Sequence, residues 1–149
     1  MRISDYLDSR LIIFLDADTQ SDAIDALIER LDEEGKLPDK EAFRRAILHR
    51  EKLVSTGIGM GVAIPHAKLQ EFPDFFIAVG IQRKKGLEWN ALDKAPVRLI
   101  FMIGGPDDKQ TEYLQILSLL TSAIRDVDLR KMLLNAQTPS EAAELFSSF

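Results

Sequence analysis

This chain predicts an α/β fold, a sheet flanked by helices within one domain spanning residues 1–149, and three observations carry that reading. Short, largely apolar runs, Leu11–Leu15, Phe75–Ile81 and Val97–Ile103, have the length and content of buried strands. Longer segments repeat apolar residues every three or four positions, the mark of amphipathic helices. The two patterns alternate along the chain, which calls for helices packed on a sheet. At 149 residues, 46% hydrophobic and 29% charged, one domain can bury a sizeable core without staples.

Each element follows from local pattern. Leu11-Ile12-Ile13-Phe14-Leu15 ends at Asp16 and reads as the first strand. Cap residues between Asp18 and Ser21 open a helix whose stripe is Ala23, Ile24, Leu27, Ile28 and Leu31, with Gly35 as its stop. Pro38-Asp39 opens a second helix, with Ala42, Phe43, Ala46 and Ile47 on one face and Arg50 near its end. The strands Phe75–Ile81 and Val97–Ile103 are joined through Leu87–Asp93, a connection with room for one short strand. Gly104-Gly105-Pro106 terminates the second of them. From Asp108 a long helix is predicted, with Tyr113, Leu114, Leu117, Leu120 and Ile124 on one face. Two shorter helices follow, near Leu129–Asn135 and Ser140–Ser147.

Composition narrows the function. A net charge of −5 argues against nucleic acid as a main partner, which would need a clustered basic face. With no cysteine and two histidines, thiolate metal sites and disulfide scaffolds are out and a zinc site is poorly provided for. The N-terminus carries acidic residues where a signal peptide needs an apolar core, and no apolar run approaches a membrane span. A cytoplasmic protein without membrane insertion is expected.

The chemistry concentrates in Ser55-Thr56-Gly57-Ile58-Gly59-Met60-Gly61-Val62-Ala63-Ile64-Pro65-His66. An imidazole is largely neutral, and so nucleophilic, near pH 7 without special tuning. Glycines at alternate positions permit turns and close approach, while Pro65 stiffens the peptide carrying His66. The plain alternative is a glycine turn followed by a half-buried histidine. Known phosphate loops do not fit. A P-loop needs Gly-Lys-Ser/Thr opening a helix, and here Val62 follows Gly61; a Rossmann turn is blocked by Pro65. No nucleophile elbow is present either. A histidine that itself carries a phosphoryl group, beside a loop offering N–H groups, survives this comparison.

The run Arg50-Glu51-Lys52-Leu53-Val54-Ser55-Thr56-Gly57-Ile58-Gly59, continuing through Ala63-Ile64-Pro65-His66, resembles the signature of the enzyme IIA domains of the bacterial phosphotransferase system. The likeness is to the fructose–mannitol class and, within it, the nitrogen-regulatory type, and it extends over nearly the whole chain. It implies a mixed sheet flanked by helices and a phosphocarrier that takes a phosphoryl group on His66 from the protein HPr or its nitrogen-branch counterpart. No cofactor is implied, because the donor is a phosphoprotein. The acceptor nitrogen in the family is Nε2, with the other ring nitrogen bonded to a backbone carbonyl.

The resemblance also assigns roles around His66. Arg50 matches the family's arginine, whose planar fork suits phosphate oxygens; without that match it reads as a solvated charge in Arg50-Glu51-Lys52. Ser55 and Thr56 are candidate donors to the phosphoryl group, with turn formation as the competing role. Tyr113 stands where sugar-transporting members have a second histidine, and a phenol offers a hydrogen bond but no counter-charge. Alternatively it is an aromatic at the core edge. His49 matches no functional residue, Trp89 reads as structural, and Met60, Phe72 and Phe75 read as core with an apolar docking rim as the other option. Regulation of partner proteins is the expected role, favoured by Tyr113 and by the nitrogen-type signature. Relay to a IIB domain for sugar uptake and a non-catalytic scaffold are the alternatives.

Overall fold

The computed structural model describes residues 1–149. Its centre is an antiparallel pair, β5 (Phe76–Gln82) and β6 (Leu99–Gly105), every residue of which is buried. Such strands are covered on both faces, which is why they read as continuous apolar runs rather than alternating ones. The edge strand β1 (Leu7–Leu15) pairs parallel with β5. On the other side of β6 lie β3 (Val62–Ala63) and β4 (His66–Lys68), both parallel to it. The short β2 (Gly57–Gly59) pairs antiparallel with β3. The sheet is therefore mixed, with β1-β5-β6-β3-β2 in order and β4 continuing the line of β3 along β6.

Side chains alternate between two cores, one on each face. Ile77, Val79, Ile81, Leu99, Phe101 and Ile103 join the helices α3 (Gln110–Ile124), α4 (Val127–Asn135) and α5 (Pro139–Glu144). Phe76, Ala78, Ile100 and Met102 face α1 (Gln20–Glu33) and α2 (Lys40–Leu53) on the opposite side. The stripe read for α1, Ala23, Ile24, Leu27, Ile28 and Leu31, is buried throughout. Its N-cap is Thr19, whose hydroxyl accepts from the Asp22 N–H, and Gly35, at φ 71°, follows its end. Asp39 caps α2 by accepting from the Ala42 N–H.

Departures from the sequence reading include four that move an element's end by two residues or more or change the kind of element. β1 begins at Leu7 rather than Leu11: Leu7 pairs with Ile77, and a bulge precedes the Ile12–Val79 pairing. The bulged segment Asp8-Ser9-Arg10 lies on a sheet edge, where polar residues and irregularity are normal and the apolar signal is lost. β6 runs Leu99–Gly105 instead of Val97–Ile103. Val97 bridges Leu87 across the connecting loop, and the rings of Phe76 and Phe75 occupy the space a Cβ would need on Gly104 and Gly105. The last helix is shorter than read, Pro139–Glu144, and the glycine stretch is a β-hairpin rather than an open loop.

Candidate functional site

The hairpin β2–β3 turns through Met60 and Gly61, whose φ values are 61° and 75°. Two positive φ angles in succession are what a two-residue turn of the primed type needs to match strand twist. Asp93 holds the turn from outside, its carboxylate accepting from the Met60 and Ala95 N–H groups, both at 3.0 Å. These two bonds keep the Asp93 carboxyl below its ordinary range. The hairpin therefore spends its backbone on the sheet, and does not form the cradle of free N–H groups that an open loop would supply.

Pro65 has no N–H to give, but its carbonyl accepts from Ile103, which anchors the peptide leading into His66 against β6. His66 Nδ1 lies 2.9 Å from the carbonyl oxygen of Ile64. A carbonyl only accepts, so Nδ1 carries the proton and Nε2 keeps the lone pair. Burial lowers the His66 pKa from its ordinary value. The Ile64 bond opposes this, and the positive charges of Arg50 and Lys68 add to the lowering. The ring is thus held neutral, in one tautomer and in one orientation.

His66 lines a cleft of about 320 Å³ together with Arg50, Ser55, Thr56, Ile58 and Ile64, and with Leu117, Ser118 and Thr121 from α3. Arg50, in the last turn of α2, donates one Nη1 bond to the Val54 carbonyl at 2.8 Å, which leaves the rest of its fork for other acceptors. A larger cleft of about 590 Å³ lies between the end of β1 and α1, where the carboxylates of Asp16, Asp18, Asp22, Glu29 and Glu33 outnumber the one cation, Arg30. Its acidic wall repels anions, so the smaller cleft is the one suited to a phosphoryl group.

Ser55 and Thr56 line the cleft, but their hydroxyl protons are already committed. Ser55 Oγ donates to the Trp89 carbonyl at 2.5 Å, and Thr56 Oγ1 donates to Glu51 at 2.5 Å while accepting from Trp89 Nε1 at 3.2 Å. The Thr56 N–H goes to the other Glu51 oxygen at 2.8 Å, and its carbonyl accepts from Ile64. This knot ties the end of α2 to the hairpin and to the Trp89 loop. Glu51, read from sequence as part of a charged run, is one of its main members.

Tyr113 is 5% exposed, and its ring centroid lies 5.7 Å from that of His66 and 6.0 Å from that of Phe75. Burial raises its phenol pKa to about 12. It is thus at once a member of the core and a neighbour of His66. His49 is exposed on α2, Trp89 is buried, and Phe72 and Phe75 are core residues. Met60 is exposed, as are Leu53, Val54, Ile58 and Leu114, all from the elements that border the cleft. Ser118 and Thr121 were missed from sequence; the signal was the spacing Leu114, Leu117, Ser118, Thr121, a single face of α3.

The profile of the family described as "Phosphoenolpyruvate-dependent sugar phosphotransferase system, EIIA 2" matches residues 5–149. The chain belongs to this EIIA family. It is 34% identical over 148 residues to the fructose-specific EIIABC component of Bacillus subtilis, covering 99% of this chain but only 23% of that protein. It is also 34% identical over 125 residues to the nitrogen regulatory protein of Escherichia coli, covering 84% of this chain and 76% of the other. The crystal structure of nitrogen regulatory protein IIA-Ntr from Neisseria meningitidis superimposes with a TM-score of 0.88 at 26% identity, over 97% and 98% of the two chains. As an EIIA domain the chain is a component of a phosphotransferase system, and its mixed sheet with helices on both faces is the family's architecture. No helix is long and apolar enough to cross a membrane.

Proposed function

We propose that His66 Nε2 accepts a phosphoryl group from HPr or an HPr-like phosphocarrier, and that the resulting phosphohistidine sets which protein this domain engages. The observation that carries the proposal is the Nδ1–Ile64 bond, which leaves Nε2 unprotonated beside a cleft holding Arg50. Phosphoryl transfer passes through a loose, metaphosphate-like state, so positioning and charge neutralisation supply most of the catalysis. His66 supplies a fixed lone pair, and the free part of the Arg50 fork meets the equatorial oxygens. Ser118, exposed on α3 at the cleft, adds a hydroxyl. The exposed Leu53, Val54, Ile58, Met60 and Leu114 give a protein partner an apolar surface to rest on while the donor enters.

Regulation of partner proteins is supported by the likeness to the nitrogen regulatory proteins. A second reading, relay to a IIB domain during sugar uptake, is favoured by the match of almost the whole chain to the fructose-specific component. Either role puts the domain in the cytoplasm, where phosphoenolpyruvate is made. The test is incubation with phosphoenolpyruvate, enzyme I and phosphocarrier, followed by intact-mass measurement. The wild type gains one phosphoryl group and His66→Ala gains none. Phosphate persisting on His66→Ala overturns the assignment.

A further inference from the structure

A phosphoryl group carries nearly two negative charges near pH 7, and Arg50 balances only one. Besides Arg50, the cation whose charge is felt at His66 is Lys68. In β4 the residues His66 and Lys68 are half-buried while Ala67, between them, is buried in the core under α1 and α2. Alternation along a strand therefore puts His66 and Lys68 on one face, with their backbones about 7 Å apart. Tyr113 lies against both. Its ring is 5.7 Å from the His66 ring, and the Lys68 ammonium sits 4.3 Å from its centroid. The same ammonium donates to Gln110 Oε1 at 2.6 Å. None of the four ion pairs in the molecule involves Lys68. It is an ammonium with neutral partners only, and it adds to the lowering of the His66 pKa.

Resting on the reading of His66 as acceptor, we propose that Lys68 is a second cation of the phosphorylated site: it leaves the face of Tyr113 to hydrogen-bond an oxygen of the phosphoryl group on His66. In the transfer itself the Nε2 lone pair forms the bond to phosphorus, and the bond to the donor breaks with its electron pair returning to the donor. Lys68 gives up no proton; it remains an ammonium and supplies charge and an N–H. Tyr113 in this account is the resting platform. A lysine stacked on an aromatic face is stabilised only modestly at a partly exposed site, so a dianion within reach outcompetes it.

The experiment is the equilibrium partition of phosphate between a phosphorylated HPr-like carrier and this chain, read by intact mass, with circular dichroism as the folding control. Lys68→Gln is expected to shift the partition toward the carrier by roughly twofold to fivefold, the scale of a partly exposed charge pair, and the difference should shrink in high salt. Lys68→Arg should recover most of the loss, and Gln110→Ala, which removes only the resting hydrogen bond, should match the wild type. A wild-type partition in Lys68→Gln overturns the proposal while leaving His66 as acceptor. So does an Arg variant as poor as the Gln variant, or a Gln110→Ala loss equal to that of Lys68→Gln. Phosphate on a His66→Ala control would instead sink the underlying reading.

Discussion

At the scale of single residues, the site depends on keeping one imidazole neutral. Burial and the neighbouring guanidinium lower the His66 pKa, outweighing the Ile64 bond that favours its protonated form. Protonation would remove the Nε2 lone pair, so the proposed acceptance of phosphate is lost only when pH falls through the lowered value. We expect the acid limb of single-turnover acceptance, and the NMR titration of the His66 ring, to have midpoints below the ordinary imidazole value of about 6.5; midpoints at or above it would contradict the burial argument. The sign for stability is the same. The unfolded chain takes up the proton first, so stability falls as pH drops from the ordinary value to the lowered one, and levels off beneath it. His66 and Arg50 stood out in the sequence because the glycine–proline context and the family signature are both local. The engagement of the Ser55 and Thr56 hydroxyls was not legible: their partner Trp89 lies more than thirty residues away, and hydrogen-bond partners across a loop leave no periodic trace.

Among the elements, the knot around Thr56 decides where the cleft wall stands. Its hydroxyl, N–H and carbonyl are all engaged, joining α2 through Glu51, the hairpin through Ile64 and the connecting loop through Trp89. Thr56→Val keeps the shape but leaves the buried Trp89 N–H without an acceptor and one Glu51 oxygen without its donor. Leaving a buried polar group unpaired costs about 1–3 kcal/mol, so urea denaturation should show a loss of about 2 kcal/mol; a stability equal to wild type would mean that water replaces the knot at little cost. The long helices and central strands could be read directly, because fourteen- or fifteen-residue helices and seven-residue strands carry enough repeats to show their period. β2, β3 and β4 could not. Strands of two or three residues are shorter than any pattern, and the pairing of β3 and β4 with β6 is a tertiary fact. That is also why the glycine stretch, read as an open N–H-rich loop, proves to be a paired hairpin.

Over the whole molecule, the sheet separates two cores and brings the site together at one border. α2 delivers Arg50 from one face, α3 delivers Leu117, Ser118 and Thr121 from the other, and β4 carries His66 between them. The fold class was visible because alternating strand and helix patterns constrain layers. Which segment of α3 meets which segment of β4 was not, because that follows from sheet order, which places β4 beside β6 although β5 lies between them in sequence. In the proposed transfer the same arrangement sets which nitrogen meets the donor, and this is the claim most directly open to measurement. A long-range ¹H–¹⁵N spectrum of the His66 ring, recorded before and after phosphorylation by the phosphoenolpyruvate, enzyme I and phosphocarrier chain, reads both nitrogens at once. The account predicts that Nδ1 stays protonated in both states and that phosphorus is bonded to Nε2. Phosphorus on Nδ1, or a His66 ring unchanged while the protein gains a phosphoryl group, would contradict it.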